Sequence, residues 1–298
     1  MSHLATVTAT VSSLPEMSSH ALRAVTDEDV AAYERDGVVC LRQVFDTAWC
    51  EMLREAALQA MESGQGRVRE PNLGDGKGRF YSSVYQSDQD PRFALLRDAS
   101  PAPEVAARLM RSDSVRFFYD QLFIKAPGTA APTPWHNDLP FWPFRGNDLI
   151  SLWIALAPVS RQTSGVQYVA GSHKWNKMFR AVTPDFDPRF MDETMEVCPD
   201  YGDGTHTEAQ ILCWDMQPGD VLCHHPMTVH GAAGNSSPTD WRIGLSIRYL
   251  GRDVQWDPRP HTMALRRDPG VAPGEFPSDG TALPVVWDRE RGLLARAL

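Results

Sequence analysis

The stretch 134-PWHNDLPFWP-143 sets an imidazole and a carboxylate two residues apart, His136 and Asp138, in a run of prolines and aromatics. Both offer ligand atoms for a divalent cation, and such a pair needs a third donor from elsewhere in the chain. Two polar residues in a solvated loop are the plain alternative. The motif lies between two strand-like segments, where a loop at a barrel mouth points inward. A buried His–carboxylate pair needs a partner, and a metal ion is the usual one. The third donor is sought in 218-PGDVLCHHPMTVHG-231, where a Pro-Gly-Asp turn leads into a strand-like run. There His224, His225 and His230 compete. Two histidines and one carboxylate on one face of a metal leave the opposite positions open, the donor set of non-heme Fe(II) centres. Zinc with a bound water uses similar ligands. Arg242 follows His230 by twelve residues, inside 239-TDWRIGLSIRYL-250. A guanidinium in a barrel interior must be paired. It suits a bidentate carboxylate of a bound acid, or a structural ion pair with one of the 38 acidic side chains. For Arg248 the structural ion pair is the expectation.

These residues need a rigid frame. In 26-TDEDVAAYERDG-37, Thr26 caps a helix, three acids suit its positive end and Gly37 stops it. The run 38-VVCLRQVF-45 reads as a strand, and 48-AWCEMLREAALQAMESG-64 as a second helix capped by Asp46 or Thr47. Residues 103–111 also read as helical. Residues 64–79 hold five glycines without a nucleotide-binding spacing, which predicts a flexible loop and a candidate lid. From Val115 the segments 115–126, 149–159, 165–171, 209–216, 220–231 and 241–250 are short and rich in β-branched and aromatic residues. That pattern predicts a sandwich or barrel with a helical N-terminal layer. Residues 1–22 read as a flexible arm, and residues 23–298 as one domain with a core at about 115–250. The tail at 251–298 is expected to wrap the surface.

Composition narrows the function classes. A net charge of −9 with scattered basic residues argues against a general binder of nucleic acid or anionic membranes. Five cysteines without a CxxC predict free thiols in a reducing compartment. With no secretory pattern or long apolar run, the expectation is a cytoplasmic protein acting on a small molecule.

Two ordered blocks carry a family resemblance. The run 136-HNDLPFWPFRGNDLISLWIALAPVSRQTSGVQYVAGSHKW-175 and the segment 218-PGDVLCHHPMTVHGAAGNSSPTDWR-242 resemble the phytanoyl-CoA dioxygenase family of Fe(II)/2-oxoglutarate oxygenases. The likeness spans about residues 115–250, with a weaker extension from Thr26. It implies a mainly β (α+β) fold with a double-stranded β-helix (jelly-roll, cupin-like) core. It implies His136, Asp138 and His230 as iron ligands, His230 because it directly precedes Gly231. Arg242 would pair the distal carboxylate of 2-oxoglutarate, with Gln121 and Trp153 lining the cosubstrate pocket. His225 matches a non-ligand His-Pro. Ala232 stands where some members carry a serine that helps hold the cosubstrate.

The implied reaction consumes O2 and 2-oxoglutarate, releases succinate and CO2, and hydroxylates a C–H bond. The carboxylate of Asp138 argues against halogenation, since related halogenases lose it to make room for halide. Phe141, Trp142 and Phe144 are candidate substrate contacts, and Arg145 or Lys174 candidate partners for a substrate carboxylate. A metal-binding barrel without catalysis and a zinc hydrolase are the competing classes; neither has a use for Arg242.

Overall fold

The computed structural model of the chain describes residues 16–294 except Gln65, Asn72, Asp75, Pro184 and Asp279. Four α-helices come early: α1 (Asp27–Asp36), α2 (Thr47–Ser63), α3 (Pro91–Ala99) and α4 (Ala102–Met110). A full capping box starts α1: Thr26 Oγ1 accepts from the Asp29 amide at 3.2 Å, and the Asp29 carboxylate accepts from the Thr26 amide at 2.8 Å. Gly37 ends it at φ +77°, packed so closely that a Cβ there would lie 2.3 Å from His173 Nδ1. Asp46 caps α2 through the Trp49 amide at 2.9 Å. Asp90 caps α3, a helix the sequence reading did not anticipate, with Pro91 in its first turn.

The strands are β1 (Val38–Leu41), β2 (Arg67–Val68), β3 (Phe80–Val84), β4 (Ser114–Lys125), β5 (Thr133–His136), β6 (Phe144–Arg145), β7 (Leu149–Ala155) and β8 (Gln167–Val169). They continue as β9 (Ile211–Leu212), β10 (Val221–His224), β11 (His230–Ala232), β12 (Arg242–Leu250), β13 (Gln255–Trp256), β14 (Val285–Asp288) and β15 (Gly292–Leu293). The large sheet runs β1-β10-β7-β12-β4-β14-β15, with β3 and β2 joined through β4. A smaller sheet runs β5-β11-β8-β9. Together they form the jelly roll.

The period-two alternation of strands splits the large sheet into two environments. On β12, Ile243, Leu245, Ile247 and Tyr249 join Ile150, Leu152 and Ile154 of β7 and Leu122 and Ile124 of β4. These pack against apolar residues of the helices such as Trp49, Leu53, Val105 and Leu109. The other face carries Arg242, Ser246 and Arg248, which line an internal cavity.

Three expectations change. The segment 220–231 is two strands, β10 in the large sheet and β11 in the small one, separated at His225-Pro226. The tail beyond 250 does more than wrap the surface, because β14 pairs with β4. The arm expected over residues 1–22 lies mostly on residues 1–15, outside the described residues. Its end is fastened: Ser18 N donates to Asp46 at 2.8 Å, and Leu22 N donates to Val44 O at 3.2 Å. Among the described residues, no helix is long and apolar enough to cross a membrane.

Candidate metal centre and its cavity

The small sheet brings the distant histidines together. On β11, His230 pairs directly with His136 of β5 on one side and Tyr168 of β8 on the other. The chain then turns after β5, and Asp138 N is anchored on Pro226 O at 2.7 Å. One ligand atom each from His136, Asp138 and His230 lies within 4.8 Å of the others. His224 and His225 fall outside this trio. His225 does not line the cavity; its Nδ1 accepts from the Met227 amide at 3.1 Å, beside the His173 ring.

Backbone contacts set the tautomers. His136 Nδ1 lies 2.7 Å from Pro134 O, and His230 Nδ1 lies 2.9 Å from Thr228 O. A carbonyl only accepts, so each Nδ1 carries the hydrogen and each Nε2 keeps its lone pair for an ion. Burial and the neighbouring His136 push His230 well below the usual imidazole range. Burial alone raises the Asp138 carboxyl, but His136, His224, His230 and Arg248 outweigh it and hold the group well below the usual carboxylate range. The lowered His230 and the lowered Asp138 carboxyl both favour the deprotonated forms that bind a metal ion.

His224 supports this trio from behind. Its Nε2 is 3.5 Å from Asp138 Oδ2, and Ser151 Oγ reaches the same oxygen at 3.3 Å. That Nε2 is buried beside the carboxylate without a hydrogen-bond partner among the described residues, and Nδ1 is hydrogen-bonded with Tyr168 OH at 3.1 Å. Asn137, between the two ligand candidates, is fully engaged elsewhere. Its Nδ2 donates to Lys177 O at 2.8 Å and its Oδ1 accepts from Phe179 N at 3.1 Å, stitching the turn to residues 177–179.

The trio lies on a cavity that is partly open to solvent. Across its wall, Gln121, Ser246 and Trp153 are cross-strand neighbours on β4, β12 and β7. Gln121 Nε2 donates to Ser82 Oγ at 2.9 Å. The Arg242 guanidinium stacks 4.8 Å from the Trp153 ring centre, and that ring lies flat over Gly244. A Cβ at Gly244 would come 1.9 Å from Trp153 Cζ2, so only glycine fits between the indole and the strand. Arg242 is 3% exposed and no ion pair to it occurs among the described residues. Its closest polar contact is Phe123 O at 3.5 Å, and burial lowers its pKa to about 10. The structural ion pair open to Arg242 on sequence grounds is thus absent among the described residues, and its buried Nε has no hydrogen-bond partner there.

Among the proposed substrate contacts, Phe141 lines the cavity but Trp142 and Phe144 do not. Both are fully buried in a separate aromatic cluster with Phe118 and Tyr119, and Trp142 Nε1 donates to Tyr119 OH at 3.1 Å. Arg145 is exposed and bonds Gln255; Lys174 is exposed and donates to Arg35 O. Neither lines the cavity. Arg248 also departs from expectation: it lines the cavity, and among the described residues no carboxylate lies within ion-pair distance of it.

The glycine-rich segment contributes Arg69 to the cavity wall. Arg69 Nη1 reaches Asp185 at 3.3 Å and Asp187 at 3.5 Å, while Phe141 meets Phe190 with ring centres 4.7 Å apart. These contacts tie the two irregular segments across one side of the cavity.

A profile of the phytanoyl-CoA dioxygenase (PhyH) family matches residues 33–244. The chain belongs to this family. It is an Fe(II)- and 2-oxoglutarate-dependent dioxygenase, with a small molecule as substrate. It is 23% identical to the multifunctional dioxygenase prhA of Penicillium brasilianum over 253 residues, 81% of this chain and 77% of that protein. It is 30% identical to the 1-deoxypentalenic acid 11-beta-hydroxylase of Streptomyces arenae over 146 residues, 47% of this chain and 48% of that one. The fold matches the epimerase SnoN, solved with Fe3+, alpha ketoglutarate and nogalamycin RO, at a TM-score of 0.65 and 22% identity. That match covers 87% of this chain and 97% of SnoN.

Proposed function

We propose that this family member hydroxylates an unactivated C–H bond of a largely apolar small organic acid or specialised metabolite, releasing succinate and CO2. In this reading His136, Asp138 and His230 hold Fe(II), and Arg242 takes the distal carboxylate of 2-oxoglutarate. One observation carries it: an ion-pair-free buried guanidinium shares a cavity with a converging two-imidazole, one-carboxylate donor set. A zinc hydrolase or a passive metal barrel gives that arginine no task. The hydroxylase of S. arenae, whose name gives an acid as substrate, supports hydroxylation and an acidic substrate here. Five free cysteines suit a reducing cytoplasm.

When bound, iron with 2-oxoglutarate and O2 supplies the oxidising power to remove hydrogen from carbon and return hydroxyl. The chain's residues set the geometry. Pro134 O and Thr228 O fix the ligand imidazoles, while Ser151 and His224 hold one Asp138 oxygen. Trp153 presents the Arg242 fork, and Phe123, Phe141, Val166 and Val182 give the cavity apolar walls that exclude water. Aerobic incubation with Fe(II), 2-oxoglutarate and a panel of organic acids and acyl-CoAs tests the reading. At least one acid should stimulate succinate formation and appear with one added oxygen. Succinate absent from every incubation, with or without a panel member, would overturn the assignment.

A further inference from the structure

The wall of the cavity holds a second cation that the reaction above leaves unused. Arg248 is 4% exposed. Its Nε and Nη1 are buried without a hydrogen-bond partner, and its guanidinium lies 4.3 Å from the centre of the Tyr119 ring. Strand pairing fixes its place. Tyr119, Arg248, Ser151 and His224 form one cross-strand row over β4, β12, β7 and β10. The last two of these contact Asp138 Oδ2, so Arg248 stands next along the row that carries the metal end of the cavity. Arg242 begins the same strand six residues earlier, about 20 Å away along an extended backbone.

Charge balance gives this placement a consequence. Arg69, another cation of the cavity wall, is paired with Asp185 and shares Asp187 with Arg189. Asp138 and one arginine cancel. One buried guanidinium remains, and a low-dielectric site does not leave such a charge bare without cost. Its two open donors, Nε and Nη1, lie on different edges of the guanidinium, and each can give one charge-assisted hydrogen bond to an anionic oxygen.

We propose that Arg248 is a second carboxylate-binding subsite, at the metal end of the cavity and separate from Arg242. The carboxylate comes either from an acidic substrate or from the keto-acid end of 2-oxoglutarate. The inference rests on the proposed iron and cosubstrate reading.

Anaerobic calorimetric titrations of the Fe(II)-loaded protein test it. The ligands are 2-oxoglutarate, then octanoate and neutral octanamide on the 2-oxoglutarate complex. The proteins are wild type, Arg248→Gln, Arg248→Lys and Arg242→Gln. Arg248→Gln should lose at least tenfold in affinity for one carboxylate. A loss confined to octanoate identifies the substrate as the source, and a loss for 2-oxoglutarate identifies the cosubstrate. Octanamide should not distinguish the variants, and Arg248→Lys should restore part of the loss. Removing an uncompensated cation should also leave the melting temperature unchanged or raised. The proposal is overturned if Arg248→Gln binds both carboxylates within twofold of wild type, whether or not its melting temperature falls. Arg242→Gln separates the two layers: if it retains wild-type 2-oxoglutarate affinity, the cosubstrate reading itself fails, whatever Arg248 does.

Discussion

The two faces of β12 differ in how completely their side chains are satisfied. Toward the helices, Ile243, Leu245, Ile247 and Tyr249 are 0% exposed and packed in one apolar cluster. Toward the cavity, Arg242 and Arg248 are buried with free donors, and Gly244 gives up its side chain to the Trp153 ring. The first face supplies stability through close packing. The second holds charge and open space whose partners are ligands. Alternation along one strand thus separates folding from chemistry at a distance of one residue.

Four predictions sharpen this contrast. Asp138→Ala should abolish both iron binding and turnover while the protein stays folded, whereas His225→Ala should keep iron. Metal analysis after desalting reads both, and the reverse pattern would reassign the ligands. On the opposite face, Ile247→Ala should cost about 2–5 kcal/mol of stability, the usual range for such a core truncation. Urea unfolding measures it, and 2-oxoglutarate affinity in the surviving folded protein should be unchanged. A loss of affinity without a loss of stability would erase the division between the faces.

The third prediction concerns pH. Burial, then the nearby His173, lowers His225 from 6.5 to about 4. The unfolded chain therefore binds more protons than the folded one between those values. Stability is full above about pH 6.5 and falls as pH drops toward 4, by about 3 kcal/mol from this group. His173 and His224, also lowered chiefly by burial, act in the same direction. Unfolding free energies at pH 7.5 and 5 should show the drop, and His225→Asn should show a smaller one. Equal drops in both proteins would remove His225 from the account. Smallest in effect, His224→Leu should weaken iron binding about 10–100-fold by releasing one support of Asp138. Competition with a chelator measures this, and unchanged affinity would make the Tyr168–His224 pair a packing feature only.

Much of the centre was legible because its chemistry demands particular residue types at short spacing. His136-x-Asp138, His230 before Gly231, and Arg242 all reach one cavity. The alternation in 242-RIGLSIRYL-250 also placed Arg242, Ser246 and Arg248 on one face, a signal that could have corrected the ion pair expected for Arg248. Sequence does not show whether an acid faces a given arginine; that depends on which strands pair. Trp142 and Phe144 were misplaced for a related reason. In 139-LPFWPF-144 the chain passes through a short 3-10 turn, Leu139–Phe141, and neighbouring aromatics separate into cavity and core. Helix α3 was missed although Asp90-Pro91 is a cap followed by a first-turn proline. Its nine residues carry only a weak apolar stripe, and packing against the rest of the helical layer sustains it. Strand β14 was hidden because its pairing with β4 crosses more than 150 residues.

The most direct test of the central claim is an anaerobic spectral titration. Fe(II) is added to the protein, then 2-oxoglutarate, and the visible region is read for the weak metal-to-ligand charge-transfer band of a chelated keto acid. Wild type should develop the band with saturable dependence on 2-oxoglutarate. Asp138→Ala should show none, and Arg242→Gln should need far more cosubstrate to reach it. No band in wild type, or the same saturation curve in all three proteins, would contradict the assignment of this cavity as the iron and 2-oxoglutarate site.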